Sequence, residues 1–362
     1  MILVSDQLTK IALNCLDYQI DEDGYVTFYR FTETQRSFYA SNSFFKLMSQ
    51  CSSGVCLAFE TDGNEVTLDC QTLDLNRQVL AQIKGELSVA EILQKLGETV
   101  KKVNQAKSRI DFIQHFDLYV DDHYLDSVRL SEGTVSFCLD NPDRHPVQVK
   151  IYFPLYKPLS IRSLSSNGDI KPIRQEKPLH YAFGDSITQG FVAGKPSFCY
   201  VAQLAGLLGV TALNQGVGNI THDPGILTDF ENLPRPDLIT VAYGTNDWHT
   251  CQTQPVVRKA IQTFYQRLNN LFNEIPTYVI TPIWRDDWRE TKECGAFLDV
   301  TRIIREEASD YPQIHLIDGL SISSHCPAHY SDGWLHPNIA GFSYMAMRLY
   351  RLMKDWQKDP KS

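Results

Sequence analysis

The second half of the chain alternates between short apolar segments and segments of helical length, and this alternation constrains the fold strongly. Apolar runs at 180–183, 210–213 and 238–243 are each followed by a turn rich in glycine and polar residues. Further strands are predicted at 277–280 and 314–317, and helices at 198–208, 256–272, 296–309 and 339–356. Strands that alternate with helices of this length predict a parallel sheet with helices on both faces.

Gly184-Asp185-Ser186 follows the first of these apolar runs and has the form of a strand that ends in a tight turn. A serine acts as a nucleophile when it is exposed, has a base within reach and has donors for the oxyanion it creates. A turn at the carboxyl end of a parallel strand supplies the exposure, and the N–H groups of the next helix can supply donors. All three residues also favour ordinary turns, so the tripeptide alone leaves both interpretations open.

Three later segments also lie at the ends of predicted elements. They are the glycine turn (214–219), the asparagine turn (244–247) and the segment 332–338 that precedes the last helix. In chain order they supply glycines, an asparagine, and then an aspartate and a histidine. Because ligands of such sheets bind outside the carboxyl ends of the strands, we expect the four segments to meet at one site.

Together the four segments resemble those of the SGNH hydrolases, also called GDSL esterases or lipases, over residues 178–357. The resemblance implies a flavodoxin-like three-layer α/β/α domain and a serine esterase that needs no metal or cofactor. It implies Ser186 as the nucleophile and His336 as the general base. The chemistry would be attack of the serine hydroxyl on an ester carbonyl, followed by hydrolysis of the acyl-enzyme.

The resemblance also implies the donors of the oxyanion hole. They would be the N–H of Ser186, the side-chain amide of Asn246 and the N–H of Gly218. Gly216 competes with Gly218, because the glycine segment is one residue shorter than the common form of the family. Loss of one such donor typically lowers kcat by about 10²–10³.

The acidic residue of the expected triad departs from the family pattern. The family usually places it three residues before the histidine, but Gly333 stands there, and Asp332 lies four residues before His336. Either the loop accommodates the extra residue and Asp332 orients the imidazole, or a backbone carbonyl does so. The sequence leaves both possibilities open.

The first half of the chain holds short runs of β-prone residues separated by turn signals. The runs lie at 25–31, 55–59, 65–68, 116–120, 134–139 and 147–153. Such a series predicts a β-sandwich or jelly roll, and it resembles the domain that precedes the hydrolase domain in one subgroup of SGNH enzymes. An inserted amphipathic helix is predicted at 89–106. We therefore expect a sandwich at 1–165, a linker at 166–178 and a hydrolase domain at 179–362.

Composition limits the partners and the compartment. The formal charge of −9, without clustered Lys or Arg, argues against a nucleic-acid partner. Residues 1–20 lack the features of a secretory signal, and no window approaches the roughly 18 apolar residues of a membrane helix. Nine scattered cysteines favour a reducing, cytoplasmic location. The oligomeric state stays open, with a homodimer possible.

Side chains near the predicted site offer substrate contacts. Trp248 follows the asparagine turn and could line the acyl pocket. Trp284 or Trp288 could stack on a sugar and Arg285 could bind an acidic group, with packing in the protein as the alternative. Asp185 is expected to orient the nucleophile turn, next to the substrate.

Residues 325–329 contain two histidines and a cysteine, but no partner Cys-x-x-Cys pair supports a metal site, so a polar loop is favoured.

The leading predicted function is hydrolysis of a short acyl ester, and an acetyl group on a carbohydrate is the leading substrate. An acyltransferase on the same scaffold and a non-catalytic carbohydrate-binding protein are the alternatives.

Overall fold

A computed structural model describes residues 1–72, 115–129, 133–156, 158–173, 177–250 and 252–356. The helix predicted at 89–106 lies outside the described residues. Within them, no helix has both the length and the apolar character that crossing a bilayer requires.

The first part of the chain forms two antiparallel sheets that face each other. Their strands are β1 (Ile2–Val4), β2 (Ala12–Leu13), β3 (Asp17–Ile20), β4 (Val26–Tyr29), β5 (Cys56–Thr61), β6 (Glu65–Thr72), β7 (His115–Val120), β8 (His123–Arg129), β9 (Gly133–Cys138), β10 (Val147–Tyr152), β11 (Leu159–Ser166) and β12 (Ile170–Pro172). One sheet has the order β3-β4-β11-β6-β9, with β1 paired to β11. The other has the order β12-β5-β10-β7-β8, with β2 paired to β5.

The interior between these sheets is apolar, because alternate residues of each strand point inward. β9 and β10 alternate buried and exposed positions along most of their length. Phe28, Phe116 and Phe153 form one continuous aromatic core between the sheets. The predicted sandwich is confirmed. Strand β12 lies inside the segment 166–178 that was expected to be a linker, because its backbone pairs with β5.

The second part of the chain forms a parallel sheet of five strands. They are β13 (Leu179–Gly184), β14 (Thr211–Gly216), β15 (Leu238–Ala242), β16 (Thr277–Ile280) and β19 (Ile314–Ile317). Their order in the sheet is β14-β13-β15-β16-β19. In chain order the sheet reads 2-1-3-4-5, which is the flavodoxin-like order. A small hairpin pairs β17 (Thr291–Lys292) with β18 (Gly295–Ala296). The predicted fold class is confirmed.

The described helices include three in the first part of the chain and seven in the second part. They are α1 (Asp6–Thr9), α2 (Glu33–Tyr39), α3 (Ser43–Gln50), α4 (Ser186–Gln189), α5 (Tyr200–Leu208), α6 (Thr245–His249), α7 (Gln254–Phe272), α8 (Phe297–Ala308), α9 (Gly319–Ile322) and α10 (Ile339–Met353). Apolar residues of α5 and α10 share one core, and those of α7 and α8 share the core on the other face. The parallel sheet is therefore covered on both sides.

Two helices of the first part pack against the parallel sheet rather than into the sandwich. The N-cap Thr32 and Gln35 form a capping box that starts α2, and the Asn42 side chain caps α3. Met48 of α3 belongs to the same apolar core as Phe183 of β13. These helices were not predicted, and they bring the first part of the chain next to the carboxyl end of β13 and β14.

Candidate active site

The serine and the histidine predicted from the sequence meet at the carboxyl end of β13. Ser186 is the first residue of α4, and its Oγ lies 2.9 Å from Nε2 of His336, which precedes α10. Both residues are partly exposed, with 14% of the His336 side chain accessible to solvent. A hydroxyl in hydrogen-bond contact with an imidazole has the geometry for transfer of its proton.

The carboxylate of Asp332 contacts the other nitrogen of the same imidazole. Asp332 Oδ2 lies 2.6 Å from His336 Nδ1, and Oδ1 accepts the backbone N–H groups of Trp334 and Leu335 at 3.0 and 2.9 Å. Gly333 has a φ of +77°, a left-handed conformation that glycine adopts without strain. Asp332 and His336 are separated by one residue more than in the family pattern. The turn at Gly333 accommodates this extra residue.

The hydrogen bonds of Asp332 determine its ionisation. Burial by itself would raise the pKa of this carboxyl, but the hydrogen bond and charge of His336 and the N–H groups of its own loop outweigh burial. The net result is a lowered pKa, which keeps Asp332 ionised at neutral pH. An ionised carboxylate on Nδ1 favours the tautomer whose Nε2 faces Ser186 and can accept a proton.

Asp185 stabilises the nucleophile turn through a hydrogen bond to the backbone of α4. Its side chain is buried and caps α4, accepting the N–H of Ile187 at 2.9 Å. Burial raises the pKa of Asp185 to about 7. Asp185 was expected to orient the turn next to the substrate, but its side chain is only 1% exposed. Asp185 therefore has no open path to a substrate.

Asn246 lies at the carboxyl end of β15, where its buried amide faces the glycine turn. Its Nδ2 donates to the carbonyl of Ile220 at 3.1 Å, which leaves the second N–H of this amide for another acceptor. The two predicted glycine donors are both engaged within the protein. Gly218 N–H donates to Oε1 of Gln189 at 2.8 Å, and Gly216 N–H donates to Oδ1 of Asn214 at 2.9 Å.

Comparison with known protein families identifies the second part of the chain. Residues 182–343 match the model of the GDSL-like Lipase/Acylhydrolase family. The chain carries a GDSL-like lipase/acylhydrolase domain. This confirms the resemblance seen in the sequence, and it makes the protein an enzyme of the SGNH hydrolase type.

Solved structures extend the similarity to the whole chain. The salicylyl-acyltransferase of a tetracycline biosynthetic pathway superposes with a TM-score of 0.77 at 15% identity, covering 100% of this chain and 99% of that one. A family two carbohydrate esterase from Cellvibrio japonicus gives 0.62 at 16% identity, with coverage of 99% and 98%. An acetyl xylan esterase from the rumen bacterium Butyrivibrio proteoclasticus gives 0.60 at 13%, with coverage of 99% and 98%.

At these identities the likeness establishes a shared fold, including the domain that precedes the GDSL-like domain. No similar sequence was found among curated proteins.

Trp248 does not line a pocket, which corrects the sequence-based expectation. Its side chain is fully buried, its indole N–H donates to the carbonyl of Gly295 at 3.1 Å, and its ring packs edge-on against Phe297. An amphipathic ring whose N–H finds a partner in the core is stable there. Trp248 is therefore a core residue that packs next to the asparagine turn.

The loop after β16 is also packed rather than open. Trp284 is 5% exposed, with its ring against Tyr330 and His325, so it offers no face to a sugar. Arg285 is buried and its guanidinium is paired with Asp287, so it is not available to an acidic ligand. The packing alternative therefore describes both residues.

The histidines of segment 325–329 do not assemble a metal site. His325 Nε2 contacts the carbonyl of Leu320 at 2.9 Å, and its ring stacks on Trp284. Among the described residues, no group of three His, Cys, Asp or Glu side chains is arranged to hold a metal ion.

Two aromatic rings that sequence reasoning missed lie next to predicted site residues. Phe191 contacts His336 edge-to-face with 4.7 Å between ring centroids. Phe44 of α3 is 45% exposed, and a Cβ placed on Gly218 would lie 3.4 Å from its ring. Phe191 follows Ser186 closely in the sequence and could have been suspected. Phe44 comes from the first domain, and no local signal connects it with the site.

A buried pair that sequence reasoning also missed joins the segment just after the glycine turn to the asparagine turn. His222 Nδ1 and its backbone N–H both lie 3.1 Å from Oδ1 of Asp247. Both side chains are essentially inaccessible to solvent. The position of Asp247 directly after Asn246 was the available signal. The pair therefore ties the backbone that leaves the glycine turn to the asparagine turn.

Proposed function

We propose that this chain is a serine esterase that removes short acyl groups, with acetyl on carbohydrates as the leading substrate class. The observation that carries the proposal is the continuous hydrogen-bonded relay from Ser186 through His336 to Asp332, with contacts of 2.9 and 2.6 Å. It lies within a GDSL-like lipase/acylhydrolase domain, whose family name describes acyl transfer to water.

In the proposed reaction, Ser186 Oγ attacks the ester carbonyl carbon while Nε2 of His336 takes the hydroxyl proton. The tetrahedral intermediate collapses, the C–O bond to the alcohol breaks, and His336 returns the proton to the departing alcohol oxygen. Water then attacks the acyl-enzyme with His336 again as the base, which releases the acid and restores Ser186. Asp332 stabilises the imidazolium that forms in each half-reaction.

The oxyanion is proposed to bind two kinds of donor. The Ser186 N–H stands at the first position of α4, where backbone N–H groups have no partner within the helix. The second N–H of the Asn246 amide is the other donor. The Gly218 N–H would be a third donor only if it left Oε1 of Gln189, to which it donates in the structure.

The carbohydrate and acetyl parts of the proposal are supported by the similar structures and by aromatic side chains near the site residues. Two structures that share the complete two-domain fold are a carbohydrate esterase and an acetyl xylan esterase. Phe44 lies beside Gly218, and Phe191 lies beside His336. Phe44 is 45% exposed, and an exposed aromatic ring can pack against the face of a sugar.

The first experiment is hydrolysis of p-nitrophenyl acetate, butyrate and octanoate by wild type and by Ser186→Ala. We expect turnover that depends on Ser186 and falls steeply with chain length, followed by release of acetate from acetylated oligosaccharides. Equal rates in wild type and Ser186→Ala would refute the nucleophile. Bound oligosaccharide without turnover of any ester would favour a carbohydrate-binding protein instead.

An acyltransferase is the second candidate, because the structure with the TM-score of 0.77 is a salicylyl-acyltransferase. The same acyl-enzyme would pass its acyl group to a sugar or other hydroxyl in place of water. Product analysis with p-nitrophenyl acetate and an added polyol acceptor separates the two. An acylated acceptor that exceeds free acid would establish transfer, and free acid alone would establish hydrolysis.

A further inference from the structure

Arg30, in the first domain, is a fully buried cation whose hydrogen-bond partners are backbone carbonyls. It follows β4 directly, and none of its side chain is exposed to solvent. Nε donates to Cys51 O at 2.8 Å and Nη2 donates to Met48 O at 3.0 Å. Among the described residues, no carboxylate forms an ion pair with this guanidinium. Burial lowers the pKa of Arg30 to about 10, so the group remains charged at neutral pH.

The remaining nitrogen of Arg30 reaches across to the GDSL-like domain. Nη1 donates to Asn214 O at 2.5 Å and to Gly216 O at 3.0 Å, at the carboxyl end of β14. The contact is reciprocal, because Nε2 of Gln215 donates to the carbonyl of Arg30 at 2.7 Å. The planar guanidinium thus holds the start of the glycine turn in one orientation relative to the first domain.

A second path from the same cation leads through Gln189 to Gly218. Met48 O, which Arg30 holds, also accepts Nε2 of Gln189 at 3.4 Å. Gln189 Oε1 in turn accepts the N–H of Gly218 at 2.8 Å. With a carbonyl on one side and an N–H on the other, the Gln189 amide can adopt only this orientation. Arg30 therefore constrains both the strand end that leads into the turn and the turn itself.

The turn has little room to adjust if these contacts are lost. A Cβ on Gly216 would lie 2.3 Å from the backbone nitrogen of Gln189, so the strand end touches the nucleophile helix directly. Asn214 Nδ2 also donates to Thr188 O at 2.7 Å. A shift of the glycine turn would therefore disturb α4, which begins at Ser186.

We propose that Arg30 is a positioning residue for the oxyanion side of the site, and that the first domain completes the active site through it. This inference rests on the proposed function, since it assigns Arg30 an effect on the chemical step. An isolated buried charge is costly, and carbonyls can be satisfied by a less costly group than a guanidinium. A guanidinium that binds two carbonyls of the first domain and two of β14 is explained if its role is to fix the distance between the two domains.

The test compares Arg30→Met and Arg30→Lys with Arg36→Met as the matched control. Arg36 is also a first-domain arginine, but it binds Asp17 and the carbonyl of Phe31, away from the glycine turn. For p-nitrophenyl acetate we expect kcat to fall about tenfold or more in Arg30→Met with KM within about threefold, because displaced oxyanion donors act on the transition state. Arg30→Lys should recover part of kcat, and Arg36→Met should keep the wild-type kcat.

Two further measurements distinguish positioning from general loss of stability. The rate at which a fluorophosphonate labels Ser186 should fall in parallel with kcat in the Arg30 variants and not in Arg36→Met. Hydrogen exchange of the peptide 211–222 should become faster in Arg30→Lys while that of β15 stays unchanged. The proposal would be overturned if Arg30→Met had a kcat and a labelling rate within twofold of those of Arg36→Met.

The experiment also separates this inference from the proposed function. If wild type neither turns over esters nor reacts with the fluorophosphonate, the proposed function fails and the catalytic part of the inference fails with it. If wild type is active and labelled but Arg30→Met matches Arg36→Met in kcat and in exchange of 211–222, the function stands and Arg30 is only a structural residue. If Arg30→Met does not fold, Arg30→Lys decides the question.

Discussion

Replacement of Asp332 by asparagine tests the relay most directly, because it changes one oxygen and leaves the loop intact. Oδ1 of Asp332 accepts the N–H groups of Trp334 and Leu335, and an asparagine carbonyl can accept the same bonds. Oδ2 faces Nδ1 of His336 at 2.6 Å, where the asparagine amide would present N–H donors. Two donors cannot share that contact, so the imidazole is driven to the tautomer with its proton on Nε2.

The size of the effect follows from the charge that is removed. Asp332 is 5% exposed and ionised, and it faces the imidazolium that forms when Ser186 gives up its proton. Unit charges about 4 Å apart interact by about 4 kcal/mol at an effective dielectric constant of about 20. At about 1.4 kcal/mol per tenfold change in rate, that is a loss of about 10³ in kcat, with the wrong tautomer adding to it.

The assay is kcat and KM for p-nitrophenyl acetate in wild type, Asp332→Asn and Asp286→Asn. Asp286 is a matched control, because it is exposed and its backbone N–H contacts the same loop, at Trp334 O. We expect the control to retain wild-type kcat and the two variants to melt within a few degrees of each other. A loss of less than about threefold in Asp332→Asn would refute the reasoning and assign the orientation of His336 to a backbone group.

Two further predictions concern the donors and the buried acid beneath the site. Asn246→Ala should lower kcat on p-nitrophenyl acetate by about 10²–10³ with little change in KM, because the amide acts on the oxyanion; an unchanged kcat would remove Asn246 from the oxyanion hole. The pKa of Asp185 is raised by burial from 3.8 to about 7, so folding favours its protonated form. The free energy of unfolding should therefore fall by about 3 kcal/mol from about pH 5 to about pH 8 through this group alone. The measurement is urea unfolding of wild type and Asp185→Asn at both pH values. We expect the free energy of unfolding to fall by about 3 kcal/mol less in Asp185→Asn than in wild type. An equal fall in both proteins would contradict the raised pKa of Asp185.

Much of the GDSL-like domain could be predicted because its signals are local. The strands predicted at 277–280 and 314–317 have the observed bounds, since short apolar runs between helices have few alternatives. The fold class and the family resemblance are confirmed. The structure also brings Ser186 and His336 together, 150 residues apart in sequence, because both segments end at the same edge of the sheet.

The features that escaped prediction depend on contacts without a local pattern. Arg30 meets Asn214 across 184 residues, and nothing around it in the sequence distinguishes it from a surface arginine. Trp248 was expected in a pocket because it follows the asparagine turn, but the helical geometry of α6 turns it into the core. Gly218 was expected to offer a free N–H, and only the packed position of Gln189 shows that a side chain occupies it.

The place of β14 in its sheet has a consequence for how the protein can be divided. β14 pairs on one side with β13 and forms the edge of the parallel sheet. Its outward carbonyls at Asn214 and Gly216 are those that Arg30 binds. Exposed edges recruit strands from other molecules, and proteins usually cover or charge them. The first domain thus covers part of this edge through Arg30, so we expect a fragment cut at the domain boundary to expose the edge and to aggregate.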